Sequence, residues 1–261
     1  QMRNKAAKIV ICIAVGVMLA FASAIGVAQT DTNVSQKVDG SPGSVSSRKS
    51  LKELKQKGMS VSDIIAGLLK DLTNQNEVVR LDAVETLSEM GSEAAPAIPS
   101  LINMLKDKDP LVRATTTLAL AGFGSKASAA CPELIKSLND QNRKVREGAS
   151  LALENIGQDA IKPLMKVLQK GQGTDVDLAI QALSRIGKPA EPLLLDALKA
   201  QNEKTAQAAS MALSMMGEIP VDALVKMLTE PDPKVAQRSA NTLIAIGAPA
   251  IPGLIKALRS K

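Results

Sequence analysis

The sequence predicts an all-α fold: a right-handed α–α superhelix of about six helix pairs plus a final single helix, over residues 62–261. Three observations predict it. A leucine signature recurs seven times at near-constant spacing, a glycine closes the second segment of each repeat, and the core residues on offer are aliphatic. The chain has no Trp, Tyr or His and only two Phe, one of them in the N-terminal apolar run. Leu, Ile, Val, Ala and Met must fill the interior, a set that suits helices better than sheets.

In chain order, residues 1–28 come first. A basic head, MRNKAAK, precedes an uninterrupted apolar run from Ile9, with small residues at Ala22–Ala24 and Gly26–Ala28 where cleavage would fall. This pattern reads as an export signal. The alternative is a retained membrane tether through residues 9–30, because the 22 uncharged positions between Lys8 and Asp31 match the ~20 that span a bilayer. Either reading leaves the remaining chain outside the cytosol, periplasmic or extracellular, since basic flanks stay on the cytoplasmic side. Residues 29–61 are Ser- and Gly-rich at first and read as a flexible linker. Within them, Ser50 to Gly58 is a candidate capping helix with Leu51 and Leu54 inward.

The repeats follow. The signature reads Leu68-Leu69-Leu72, Leu101-Ile102-Leu105, Leu134-Ile135-Leu138, Leu164-Met165-Leu168, Leu194-Leu195-Leu198, Leu224-Val225-Leu228 and Leu254-Ile255-Leu258. Its starts lie 33, 33, 30, 30, 30 and 30 residues apart. Positions i, i+1 and i+4 share one helical face, so each copy is a short helix with one apolar stripe. Pro99, Pro132, Pro163, Pro192, Pro220 and Pro252 stand ahead of the leucines, where a first helical turn tolerates proline.

A second helix completes each unit. Its inward columns are Ala83, Thr116, Ala149, Ala179, Ala209 and Ser239, then Leu87, Leu120, Leu153, Leu183, Leu213 and Leu243. Gly91, Gly124, Gly157, Gly187, Gly217 and Gly247 supply left-handed C-terminal caps. The separation from this glycine to the next leucine is 10 residues in the first two junctions and 7 from Gly157 onward. A change of superhelical curvature is expected there. No pair can bury its apolar faces alone, so the units must stack.

These residues, best seen in DPLVRATTTLALAGFG and PDPKVAQRSANTLIAIG, resemble the HEAT repeat family, an armadillo-like α-solenoid. The short bacterial repeats of phycobilin lyase-type proteins are the most similar variety. The resemblance implies that a turn acid and a second-helix arginine form a ladder along the stack. The matching residues are Asn74 with Arg80, Asp107 with Arg113, and Asp140 with Arg146. The later units hold Lys170 with Val176, Ala200 with Ala206, and Glu230 with Ala236, so the tie between them must be mainly apolar packing. The other reading of Arg80, Arg113 and Arg146 is an anion-binding row.

Catalytic chemistry finds little to use. Without His there is no Ser-His-Asp or Cys-His arrangement and no His-containing zinc site. Cys131 is the one cysteine beyond the apolar run, which excludes thiolate clusters and reads as a small buried residue. DKD (Asp107 to Asp109) and DVD (Asp175 to Asp177) read as helix-start acids, not calcium ligands. No metal and no cofactor are expected. Beyond the basic head, 29 basic residues face 26 acidic ones, and that small surplus gives no reason to expect nucleic acid.

A binding surface remains. The resemblance implies that the second helices line the concave side. Opposite their buried stripe stand Glu85, Leu118, Leu151, Gln181, Met211 and Asn241, with Ala114, Ala121, Ser184, Ser214 and Met215 as neighbouring outward positions. Leu118, Leu151, Met211 and Met215, with Glu85 and Gln181, are the expected contacts for a protein or peptide partner, with no small-molecule substrate. The alternative is an enzyme or ligand carrier of the bilin lyase-like group, its site in the groove at Glu85, Asp82 or Arg80.

Overall fold

The computed structural model describes residues 51–56, 58–170 and 173–259, so the leader, the tether and most of the linker lie outside the described residues. Among the described residues there are fourteen α-helices and no strand. They are α1 (Leu51–Gln56), α2 (Val61–Asp71), α3 (Glu77–Glu89), α4 (Ile98–Met104), α5 (Pro110–Phe123), α6 (Cys131–Ser137) and α7 (Arg143–Ile156). Then come α8 (Gln158–Lys170), α9 (Thr174–Ile186), α10 (Glu191–Leu198), α11 (Glu203–Ser214), α12 (Val221–Met227), α13 (Pro233–Ile246) and α14 (Ile251–Arg259). From α2 they fall into six consecutive pairs, with α14 as the single closing helix. The candidate capping segment holds α1, whose Leu51 packs on the core, while the Leu54 side chain lies outside the described residues.

The leucine columns form the interior. Leu68, Leu101, Leu134, Leu164, Leu194, Leu224 and Leu254 are buried in the first helices, and Leu87, Leu120, Leu153, Leu183, Leu213 and Leu243 in the second. Side-chain caps start most second helices. Asn76, Asp109, Asn142, Asn202 and Asp232 each accept a backbone N–H of the first turn, whereas α9 begins at Gly173 without one.

The second helices contact one another at every step from α3 to α13, while the first helices approach closely only at α6–α8 and α12–α14. A stack packed more tightly along one layer curves toward that layer, so the second helices lie on the inner side. The closest approach is α5 on α7. A Cβ added at Gly148 would overlap Thr117 Oγ1, so glycine suits this spacing.

The shorter junctions have a clear origin. Gly91–Ala97 and Gly124–Ala130 are seven-residue 3₁₀ segments, whereas the later ones are Lys188–Ala190 and Ala248–Ala250. At Gly157 the 3₁₀ segment is absent and α8 starts at once. Pro163 therefore lies inside α8, a correction to its expected place in a first turn. A second correction concerns Gly217, which is not left-handed. Helix α11 ends at Ser214, and the Met215 N–H already closes it on Met211 and Ala212, which leaves Gly217 beyond the cap.

The ladder exists, with a partner arrangement the sequence did not show. Arg80 donates from Nε and Nη2 to the two carboxylate oxygens of Asp107 in the next unit, at 2.7 and 2.8 Å. Its Nη1 meanwhile donates to the Asn74 and Gln75 carbonyls of its own turn. Arg113 repeats this with Asp140 (2.8 and 2.9 Å) and with the Asp107 and Lys108 carbonyls. Arg146 keeps its bonds to the Asp140 and Gln141 carbonyls, but the next unit offers Lys170 in place of an acid. Each acid also accepts the amide two residues on, Asp109 for Asp107 and Asn142 for Asp140. Asn74 makes the same turn bond to Asn76 without a charge. Among the described residues no arginine precedes the first unit to pair with a carboxylate there.

The later units, expected to be tied mainly by apolar packing, also carry polar contacts from one unit to the next. Arg238 of α13 reaches back to donate to the Leu198 and Ala200 carbonyls and to Glu203. It thereby fills the turn that Ala206, at the ladder position, leaves without an arginine. The column acid Glu230 is met by Lys199 of the preceding unit at 2.8 Å.

Burial alone would raise the Asp107 carboxyl, but the hydrogen bonds from Arg80 and from the Asp109 amide, with the Arg80 charge, hold it below its ordinary value. At Asp140 the Arg113 hydrogen bonds lead and outweigh burial, again lowering the carboxyl. A carboxylate lowered in the folded state contributes stability above its unfolded pKa of about 3.9 and loses it as pH falls through the folded value. Acid denaturation followed by circular dichroism should therefore show a loss of stability beginning below about pH 4, and Asp107→Asn should shrink that component. At neutral pH Asp107→Ala should cost about 3–5 kcal/mol in urea unfolding, because it strands Arg80 in a buried site. Gly148→Ala should cost about 1–3 kcal/mol, and Thr117→Ala in the same chain should restore much of it.

Candidate functional site

The inner layer presents its outward positions in rows, because equivalent residues of successive second helices stand side by side. Leu118 and Leu151 are 53% and 37% exposed, and Met211 and Met215 are 46% and 53% exposed. All four are therefore open on the layer where the sequence placed them. Glu85 and Gln181 sit half-buried in the same row, and Asn241 at its end is exposed and accepts from Gln237 Nε2. Ser214 is also half-buried.

Three expected outward positions are corrected: Ala114, Ala121 and Ser184 are buried. The reason is the closeness of neighbouring helices. Asn155 Nδ2 of the next unit donates to the Ala121 carbonyl, whereas the Ser184 hydroxyl is satisfied within its own helix by the Gln181 carbonyl. These small residues form a floor between the rows, not part of the rim.

The structure adds Leu111, which is 52% exposed at the start of α5. It lies seven residues before Leu118 and so on the same helical side. That spacing could have found it. The matching positions of the other second helices are Val78, Lys144, Thr174, Lys204 and Lys234, all exposed. The row thus runs from apolar in the first two units to predominantly basic in the last four. Helix α5 carries one charge, Arg113, which is taken up by the ladder. Its solvent side is accordingly uncharged.

Beside Met215, at the C-terminal ends of α7, α9 and α11, lies an open cavity of about 760 Å³. Its walls include Glu154, Ser184, Arg185 and Glu218, and Arg185 pairs with Glu154 at 3.2 Å across two units.

Readings that need a free arginine do not fit this geometry. Arg80 is buried and held by Asp107, so it is not available to a groove site with Asp82 and Glu85. The anion-binding row fails likewise, since Arg80 and Arg113 are committed to carboxylates and Arg146 to carbonyls. Burial, with some help from the Asp159 charge, pushes the Cys131 thiol up to about 11, so it stays protonated and unreactive at neutral pH. Among the described residues no group of three or more Cys, Asp or Glu side chains is placed to hold a metal ion, and no single helix is long and apolar enough to cross a membrane.

Comparison with known proteins now adds a family. The profile of HEAT repeats matches residues 98–184 and 191–261, more than half of the chain. The chain belongs to the HEAT repeat family. No curated protein matches it in sequence. Among solved structures, it is similar to the complex of CpcE and CpcF of phycocyanin lyase from Nostoc sp. PCC7120, at 23% identity and a TM-score of 0.42, covering 84% of this chain and 85% of that one. It is also similar to a designed armadillo repeat protein in complex with the peptide (KR)4, at 19% identity and a TM-score of 0.39, covering 70% and 99%. An engineered protein gives 22% identity, a TM-score of 0.40, and coverage of 76% and 98%.

If the exposed row is not needed for this HEAT stack to fold, Leu118→Asp and Met211→Asp should each change urea-unfolding stability by no more than about 0.5 kcal/mol. Leu120→Ala, two residues from Leu118 but fully buried, should cost about 2–5 kcal/mol in the same measurement.

Proposed function

We propose that this chain is an exported, non-enzymatic HEAT-repeat scaffold that binds a protein or peptide partner through its inner layer. The observation that carries the proposal is the set of large apolar side chains, Leu118, Leu151 and Met211 in one row with Leu111 and Met215 beside it, left open on the second helices. Leaving such side chains in water forgoes about 1.5–3 kcal/mol for each one that could be fully buried, and a partner recovers that term. Methionine adapts its shape to the surface it meets, and leucine on a rigid helix gives a fixed anchor. The partner is an extended or helical segment with apolar residues, laid across successive second helices. Glu85 and Gln181 lie within the same row and provide polar contacts that set its register.

Export rests on the basic head and apolar run of residues 1–28, which serve as a cleaved signal or as a tether through residues 9–30. The linker then lets the stack reach its partner away from the membrane surface.

The doubly substituted chain Leu118→Asp with Met211→Asp tests the surface. Expected is loss of partner capture from an envelope extract, read by mass spectrometry, with the helical signal and melting temperature kept. Unchanged capture refutes the surface, and turnover of a substrate abolished by Glu85→Gln refutes the non-enzymatic reading. N-terminal sequencing of native material distinguishes signal from tether.

A further inference from the structure

Aligning the six second helices exposes a residue out of place. The position one before the ladder column holds Val79, Val112, Val145, Asp175, Thr205 and Val235. Five of the six are β-branched, and the fourth is an acid. Asp175 is nonetheless buried, at 8% exposure. Thr205 directs its hydroxyl to the Leu168 carbonyl, whereas the hydrogen bond made by Asp175 comes from the amide of its own neighbour, Val176, at 2.9 Å. None of the ion pairs among the described residues includes it.

A role as a helix-start acid does not require this burial. Glu77, Asp177 and Glu203 favour their helix dipoles from the surface. Burying a carboxylate without a cation is costly, and a repeat that elsewhere uses valine could avoid it.

Asp175 lines a cavity of about 460 Å³ on the first-helix side, between the third and fourth units. Pro132 and Ile135 of α6 and Pro163 and Val167 of α8 make its apolar wall. Lys166 and Lys170, both exposed, complete the lining. The volume is that of a small-molecule site. Its chemistry has three parts: a buried anion, a hydrocarbon wall and two solvated cations. The lysines disfavour a simple cation, and the carboxylate disfavours a simple fatty acid.

We propose that this cavity binds a small zwitterion with an apolar body, of the class of the branched or aromatic amino acids. The ammonium meets Asp175, the carboxylate meets Lys166 and Lys170, and the side chain lies on the Pro132, Ile135, Pro163 and Val167 wall. The site lies outside the inner face and does not depend on the partner-binding reading, so the two stand or fall separately.

Titration calorimetry on the full chain tests it with L-leucine and L-phenylalanine as probes, against isoamylamine, 4-methylpentanoate and glycine. Each control lacks one of the three features. Saturable binding of at least one probe, and at least about tenfold weaker binding of every control, is the expected result. Asp175→Asn should weaken the bound probe by about ten- to a hundredfold. Asp175→Val restores the residue of the column, and it should raise the melting temperature while abolishing binding. Three results would each overturn the proposal: no heat from either probe at millimolar concentration, equal binding by the Asp175→Val chain, or a lower melting temperature for that chain. The last would show the acid to be structural.

Discussion

Every unit of this molecule holds half a core and needs the next unit for the other half. Leu101 and Leu120 of the second pair, or Leu164 and Leu183 of the fourth, are wholly removed from water, yet a lone pair of helices has no third body to cover them. The demand passes from unit to unit, and stability accumulates along the stack as a sum of unit and junction terms. The same demand explains the composition. Aliphatic and small side chains let helices pack with little space between them, as at Gly148 against Thr117.

The charged ladder is secondary to that burial, and its construction is economical. One acid per unit does two things: it fixes its own turn by accepting an amide and it receives the guanidinium of the unit before. The arginine likewise caps the carbonyls of its own turn and reaches forward. Each bidentate pair is nearly or largely dry, with both Arg80 and Asp107 side chains 6% exposed. Its value lies in fixing the register between units as much as in energy, since such pairs carry a desolvation penalty. Asn74 shows the two roles separated, because the first unit keeps the turn and, among the described residues, has no preceding arginine to receive.

Much of this was legible beforehand. The leucine columns, the unit lengths and the terminal helix follow from periodicity, because a residue that returns on one helical face must be covered. What periodicity does not give is the distance between helices. Ala114, Ala121 and Ser184 point away from their own unit, and they are buried because the next unit comes close enough to cover them. Arg238 escaped for a related reason. It stands two positions from the ladder column and works backward into the preceding unit, where no motif of a single repeat would place it. Asp175 looked ordinary as a helix-start acid. Its oddity appears only against the valines of the other units and the burial of the site. Leu118, Leu151, Met211 and Met215 were legible as outward, since an apolar residue opposite a leucine stripe has no core to enter.

The direction of the arginine contacts has a mechanical consequence. In the first three units they run forward, from Arg80 and Arg113 to the acid ahead, and in the last two Arg238 runs backward. The fourth unit, with its uncapped second helix, lies between the two systems, and among the described residues no buried ion pair joins it to either side. Load across this seam is therefore carried by apolar packing, with α8 against α6 and α9 against α7, and by the exposed Arg185–Glu154 pair, not by buried charge.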